Sequence, residues 1–286
     1  MAGMYEVDLR DRSGLSQVFA EHQIDSVMHF AGHKAVGESV ANPMKYYDTN
    51  IGSTLALVAE MEAAEVRKLV FSSSCTVYGS PEPDQVPLTE LTPLQAVSPY
   101  GRTKLLLEEM LNDLCVSDPR WSVTSLRYFN PIGAHESGRI GEDPTGVPNN
   151  LLPFIMQVAV GRRDKLSVFG DDYPTEDGTC VRDYIHVVDL ARGHLQALPQ
   201  LETAGYGAIN LGTGVGSSVL EVVAASADAV GEPIPYEVKP RRAGDATVVF
   251  ADPAHALDAL SWKAERDLKT MCLDHWRWQE TNPNGY

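Results

Sequence analysis

The feature that most constrains this 286-residue chain is the alternation, over its first half, of short apolar runs with amphipathic stretches of helical length. Met4–Val7 ends at Asp8, and Ser26–Phe30 (S-V-M-H-F) closes on Ala31 and Gly32. Lys68–Ser73 and Ser122–Tyr128 repeat the pattern, and between the runs lie Gly14–His22, Pro43–Ala64 and Tyr100–Cys115. Strands separated by a helix pair in parallel through a crossover, because a hairpin connection is far shorter. The alternation therefore predicts an α/β fold with a doubly wound parallel sheet.

After about residue 130 the texture changes. Turn residues crowd in (P-N-N, F-G-D-D-Y-P-T-E-D-G, G-T-G-V-G, P-R-R-A-G-D) and periodic segments shorten. The expectation is a sheet domain over residues 1–130. Residues 131–286 would form a smaller, loop-rich lobe over the carboxyl ends of the strands, where α/β folds bind ligands. The glycines at Gly212, Gly214 and Gly216 follow an apolar run, but their spacing is not G-x-G-x-x-G. They read as a turn into a helix capped by Ser217 or Ser218.

Hydrophobic residues make up 43% of the chain and charged residues 22%, which suits a folded protein and not a disordered one. No apolar run approaches the roughly eighteen residues that span a bilayer, and Met1–Asp8 does not read as a signal peptide. A formal charge of −16 repels phosphate at long range, which argues against nucleic-acid partners and anionic membrane surfaces. An anionic small molecule would need placed arginines or helix N-termini. Cys75, Cys115, Cys180 and Cys272 lie far apart, without a C-x-x-C pair or a Cys/His cluster at ligand spacing. No metal site is expected, and the cysteines read as thiols of a reducing, cytoplasmic compartment.

Two groups of residues carry chemistry. In S-P-Y-G-R-T-K, Ser98 is a natural N-cap and Pro99 fits the first helical position, so Tyr100 and Lys104 share one helix face. A cation near a phenol lowers its pKa from about 10 by ~3 units, which would make Tyr100 a usable general base. Taken alone, the pair is equally a helix-surface contact. Ser72, Ser73 and Ser74 end an apolar strand in V-F-S-S-S-C-T-V-Y-G. Hydroxyls there point into the ligand crevice of a parallel sheet, or simply close a polar strand end.

Together these groups resemble the short-chain dehydrogenase/reductase superfamily, whose catalytic groups are a strand-end Ser or Thr and a Y-x-x-x-K helix. Longer motifs narrow the likeness. H-F-A-G-H-K-A-V-G-E-S-V (29–40), L-R-Y-F-N-P-I-G-A-H (126–135) and G-V-P-N-N-L (146–151) are three of them. T-E-D-G-T-C-V-R-D-Y-I-H-V (175–187) and the closing W-x-W-Q-x-x-N-P-N-G-Y complete the set. From Asp8 onward the chain resembles the UDP-glucose 4-epimerase family, with its Rossmann-type NAD-binding sheet. Sister dehydratases carry an acidic pair after the strand-end Thr, where this chain has Cys75 and Thr76.

The resemblance implies a redox-neutral mechanism. Tyr100 would take the proton of the sugar 4-hydroxyl while C4 gives hydride to bound NAD. The 4-keto sugar would turn over and receive the hydride on its other face. Ser74 would hydrogen-bond O4, and Lys104 would bind the nicotinamide ribose and depress the Tyr100 pKa. For the cofactor the resemblance implies Asp8 and Leu9 at the adenine, the loop residues Phe30, Ala31, Gly32 and Lys34, then Asn50 and Phe129. For UDP it implies Asn130, Asn150, Leu151, Phe169, Arg182, Arg242 and Asp245. A pyrophosphate on so acidic a protein needs charge-assisted donors. Without the family, Arg182 beside Asp183 and Arg242 near Asp245 read equally as internal ion pairs. Val249, small at a pocket-wall position, implies room for a 2-acetamido sugar. His33 stands where the family loop is usually apolar and receives no role. The family's pairing helices would make a homodimer through Pro43–Ala64 and Tyr100–Cys115.

Family members open with a strand, a G-x-x-G-x-x-G loop and a helix, then a second strand ending in an acidic residue. This sequence starts near what resembles the third strand, about one and a half βα units later. The expectation is an incomplete sequence with an internal Met taken as the start. The alternative is a shortened, inactive UDP-sugar-binding relic. By itself the chain would then bind NAD poorly, leave Met4–Val7 without a partner and uncover the edge at Ser26–Phe30. Another UDP-sugar enzyme of the superfamily, a decarboxylase or uronate epimerase, is the rival activity.

Overall fold

The structure is a computed structural model that describes residues 3–242 and 244–286. Its helices are α1 (Arg12–Glu21), α2 (Val36–Ala41), α3 (Pro43–Tyr46), α4 (Gly52–Ala63), α5 (Pro99–Ser117) and α6 (Leu151–Ala159). They continue with α7 (Val187–Ala197), α8 (Val219–Val230), α9 (Ala254–Leu260) and α10 (Leu268–Thr281). The strands are β1 (Val27–His29), β2 (Lys68–Ser72), β3 (Ser122–Tyr128), β4 (Asn130–Ile132) and β5 (Leu166–Phe169). After these come β6 (Val181–His186), β7 (Gly205–Leu211), β8 (Gly216–Ser218), β9 (Tyr236–Lys239) and β10 (Val248–Val249).

The chain divides into two compact units. The first gathers Met1–Gly79, Pro93–Arg127 and Gln196–Ile209, and the second Ser80–Thr92, Tyr128–Leu195 and Asn210–Tyr286. In the first unit the sheet runs β1-β2-β3-β7, with β1/β2 and β2/β3 parallel and Leu69 lying between Val27 and Val123. β2 and β3 are buried almost throughout, as strands covered on both faces must be. Leu57 and Met61 of α4 and Leu107 and Leu111 of α5 pack with Leu69, Phe71, Trp121 and Val123. Each such side chain contributes roughly 1.5–3 kcal/mol, so apolar burial holds α5 in place.

One expectation about this unit needs correction. Met4–Val7 belongs to no strand, and Met4 is 97% exposed. A short apolar run becomes a strand only when another strand's edge pairs with it, and β1 ends the sheet with β2 as its neighbour. The stretch Pro43–Ala64 is helical almost to its end, as its sequence suggests, with a π-type widening inside it. It comprises α3, a wide π-type turn at Tyr47–Ile51, and α4.

The second unit has its own sheet, β10-β6-β4, with β8 antiparallel on β6, and a parallel pair β5/β9. Leu152, Ile155 and Met156 of α6, Val222 and Val223 of α8, and Met271 and Cys272 of α10 form its core. It is richer in helix than its turn-laden sequence suggested, because several turn residues are helix caps. Asn150 precedes α6, Ser218 and Glu221 form a capping box on α8, and Asp267 accepts from Thr270 N at 2.8 Å on α10. The glycine run is the expected turn into a capped helix. The buried Asp183 carboxylate fixes it, accepting from Thr213 N at 2.8 Å and Gly214 N at 3.1 Å.

Candidate active site

Ser98 caps α5 as its sequence predicts, its hydroxyl accepting from Gly101 N at 3.0 Å with Pro99 following. Tyr100 and Lys104 therefore lie one turn apart on a buried face, 7% and 5% exposed. Ser74 follows β2 and caps the short 3₁₀ turn Cys75–Tyr78; its oxygen accepts from Thr76 N at 3.2 Å and Thr76 Oγ1 at 3.0 Å. Gly101 brings the two segments together. A Cβ there would lie 2.8 Å from the Thr76 carbonyl oxygen, so only glycine lets the first turn of α5 rest on the turn that carries Ser74.

Lys104 crosses from the helix to the sheet. Its Nζ donates to the Ser72 carbonyl at 2.6 Å and lies 4.8 Å from the Phe71 ring. Burial pushes its pKa down to about 8, with Glu108 opposing. Tyr100 has the edge of the Tyr46 ring beside it, centroids 6.5 Å apart.

Asn50 sits in the π-type turn, 2% exposed. Its amide embraces the backbone of His33, accepting from N at 2.8 Å and donating to O at 3.0 Å, and donates to Thr103 Oγ1 at 3.2 Å. Thr103 in turn donates to the Tyr100 carbonyl at 2.7 Å. Asn50 thus clamps the loop after β1 to α5, and His33 takes part through its backbone, which its side chain did not reveal. A Cβ on Gly32 would press to 3.1 Å from Asn50 Oδ1. Phe30, Ala31, Gly32 and Lys34 are exposed in this loop. Asp8 is exposed and held by Arg10 at 2.8 Å, which keeps its carboxyl down at about 2, while Leu9 packs on the core.

The remaining predicted residues belong to the second unit. Arg242 stacks on Phe169 at 4.8 Å and pairs with Asp245 at 2.9 Å. Arg182 is not paired with Asp183, whose carboxylate is turned to the glycine loop; its Nη1 donates to the Val181 carbonyl at 2.8 Å. Val249 lies opposite Arg182 across β10/β6 and is 7% exposed. The positive charges of Arg182 and Arg242 oppose the upward push that burial gives the Tyr184 phenol. Asn130 opens β4 opposite Tyr184, Phe129 is buried, and Asn150 donates to Glu142 at 3.2 Å just before Leu151 opens α6. Sequence reasoning missed Thr103, Tyr46, Glu108 and Arg127. The last two had a signal: an acid one turn after Lys104, and an arginine inside an apolar strand.

A parallel sheet with helices against it, and a lysine of α5 reaching the end of β2, is the architecture of the Rossmann-type α/β class. The sequence signature of the NAD dependent epimerase/dehydratase family matches residues 2–212. UDP-glucose 4-epimerase of Bacillus subtilis is 59% identical over 283 residues, covering 99% of this chain and 83% of that protein. The crystal structure of UDP-glucose 4-epimerase from Bifidobacterium longum, in complex with NAD+ and UDP, superposes with a TM-score of 0.95 at 52% identity. That match covers 99% of this chain and 84% of the other. The UDP-Glc/GlcNAc 4-epimerase of Campylobacter jejuni aligns with a TM-score of 0.81 at 37% identity, over 97% of this chain and 84% of its own. This chain belongs to the NAD dependent epimerase/dehydratase family.

Proposed function

We propose that this chain interconverts UDP-glucose and UDP-galactose through a 4-keto sugar. The observation that carries the reading is Lys104, one turn along α5 from Tyr100, donating to the carbonyl that ends β2 two residues before Ser74, in a chain whose relatives are epimerases. When bound, NAD supplies a reversible hydride acceptor for the sugar's C4. The residues present suit its nicotinamide end: the exposed loop after β1, so close to Asn50 that a side chain at Gly32 would crowd it, and the Lys104 ammonium for the ribose hydroxyls.

Tyr100 takes the 4-hydroxyl proton and returns it, so no proton is consumed over the cycle. The neighbouring Lys104 cation favours the phenolate. Ser74, whose oxygen already accepts two bonds from Thr76, offers its own proton to O4. In the second unit, Asn130, Asn150, Leu151, Phe169, Arg182, Arg242 and Asp245 hold the UDP moiety. One carboxylate engages only part of a guanidinium's five donors, which leaves Arg242 able to bind a diphosphate. The test is conversion of UDP-galactose with NAD supplied. Tyr100→Phe should lower turnover about 10²–10⁴-fold with unchanged melting. An inert wild-type chain carrying stoichiometric NAD, or a fully active Tyr100→Phe, would sink the reading. Val249 extends it to UDP-N-acetylhexosamines, and UDP-GlcNAc in the same assay decides that point.

Among the described residues no helix is long and apolar enough to cross a membrane. The four cysteines are free thiols, which supports action in the cytoplasm. A homodimer is proposed through α4 and α5, where Leu55, Leu106 and Val116 are 50%, 46% and 77% exposed. Sedimentation should give twice the chain mass, and Leu106→Glu should halve it. A monomeric wild type would remove this part of the reading.

A further inference from the structure

Below the serine that ends β2 lies a buried ion pair that the proposed chemistry does not use. Glu108 follows Lys104 by one turn, so Tyr100, Lys104 and Glu108 form a single stripe along α5. The Glu108 carboxylate, 3% exposed, takes Arg127 Nε at 3.0 and 3.1 Å and Nη2 at 2.5 Å. Ser73 donates a short hydrogen bond to the same carboxylate. Arg127 Nη1 donates to Tyr78 Oη at 3.1 Å, and its guanidinium lies 5.3 Å from that ring. Ser73 immediately precedes Ser74, and Tyr78 closes the turn that Ser74 caps. Both ends of the segment carrying Ser74 are thus fastened to one ion pair, whose acid rides on the helix of Tyr100 and Lys104.

Stability does not account for this arrangement. Taking two charges out of water offsets much of what their attraction returns, and apolar residues of similar volume would hold helix to sheet as well. What a forked guanidinium–carboxylate contact adds is direction. We propose that Glu108 and Arg127, acting through Ser73 and Tyr78, are positioning residues that set the Ser74 hydroxyl against the Tyr100 phenol. The inference rests on the reaction proposed above, for which a displacement of about 1 Å costs about 10²-fold in rate.

Ser73→Ala and Tyr78→Phe each remove one anchoring hydroxyl and leave the ion pair intact. Each should lower kcat for UDP-galactose about 10-fold, and the pair together about 100-fold, with KM within about twofold and melting near wild type. Ser226→Ala, which removes an equally buried hydroxyl from the second unit, should leave kcat unchanged. Without ligand, amide hydrogen exchange over residues 73–79 should quicken in both anchor variants and not elsewhere. Wild-type kcat in both variants, a loss confined to KM, or an equal loss in Ser226→Ala overturns the proposal. If the wild-type chain converts no UDP-galactose, the functional reading fails. Exchange at 73–79 then decides the anchoring separately, and unchanged rates overturn it.

Discussion

Lys104 shows what burial does to one charge. Its ammonium is 5% exposed, and its pKa falls from 10.5 to about 8 through desolvation. Between those values the unfolded chain holds a proton that the native state has released, so stability rises with pH across that window. Below pH 8 both states are charged and the burial cost is complete, roughly 3 kcal/mol. In urea titrations the wild type should gain on Lys104→Met between about pH 8 and 10.5. Parallel curves would show that the ammonium is not desolvated. The burial of Tyr100 and Lys104 on one face of α5 was legible because the cap and the four-residue spacing are local. The tasks of Asn50 and Glu108 were not. Their partners, the His33 backbone and Arg127, lie 17 and 19 positions away and meet them only in the folded chain.

At the scale of elements, local chemistry settled most boundaries. The Ser98–Pro99 start of α5 is such a case, since a cap and a missing N–H act within one turn. β3 spans Ser122–Tyr128 as its apolar run suggests. The π-type turn before α4 had no sequence signal; it is where Asn50 reaches into the loop after β1. Met4–Val7 failed for the opposite reason. Its composition suits a strand, but strand formation depends on a partner edge that composition does not specify. In the second unit, Ser218 caps α8 and is one of the two serines the sequence offered for that role, because a hydroxyl just after a turn can take the first free N–H groups of a helix.

For the whole molecule, the buried histidines set the response to acid. Burial pushes His29 and His275 down to about 4 and lowers His186 and His194 as well. Each stays neutral in the native state where the unfolded chain already takes a proton near pH 6.5. Stability should therefore fall between about pH 6.5 and 4, by roughly 3 kcal/mol for each of His29 and His275. Guanidinium midpoints at pH 7 and 5 measure this. His275→Gln should flatten the dependence, and an unchanged slope would place His275 in contact with water.

The sequence alone determined the parallel α/β class, the capped start of α5 and the serines at the end of β2, because periodicity and capping are written in residues close along the chain. The tertiary structure decided which groups orient those side chains: the Asn50 clamp, the Glu108–Arg127 pair, and the turning of Asp183 away from Arg182. Each depends on donors and acceptors that are far apart in sequence. A buried polar group takes whatever partner the packed core brings within hydrogen-bond reach.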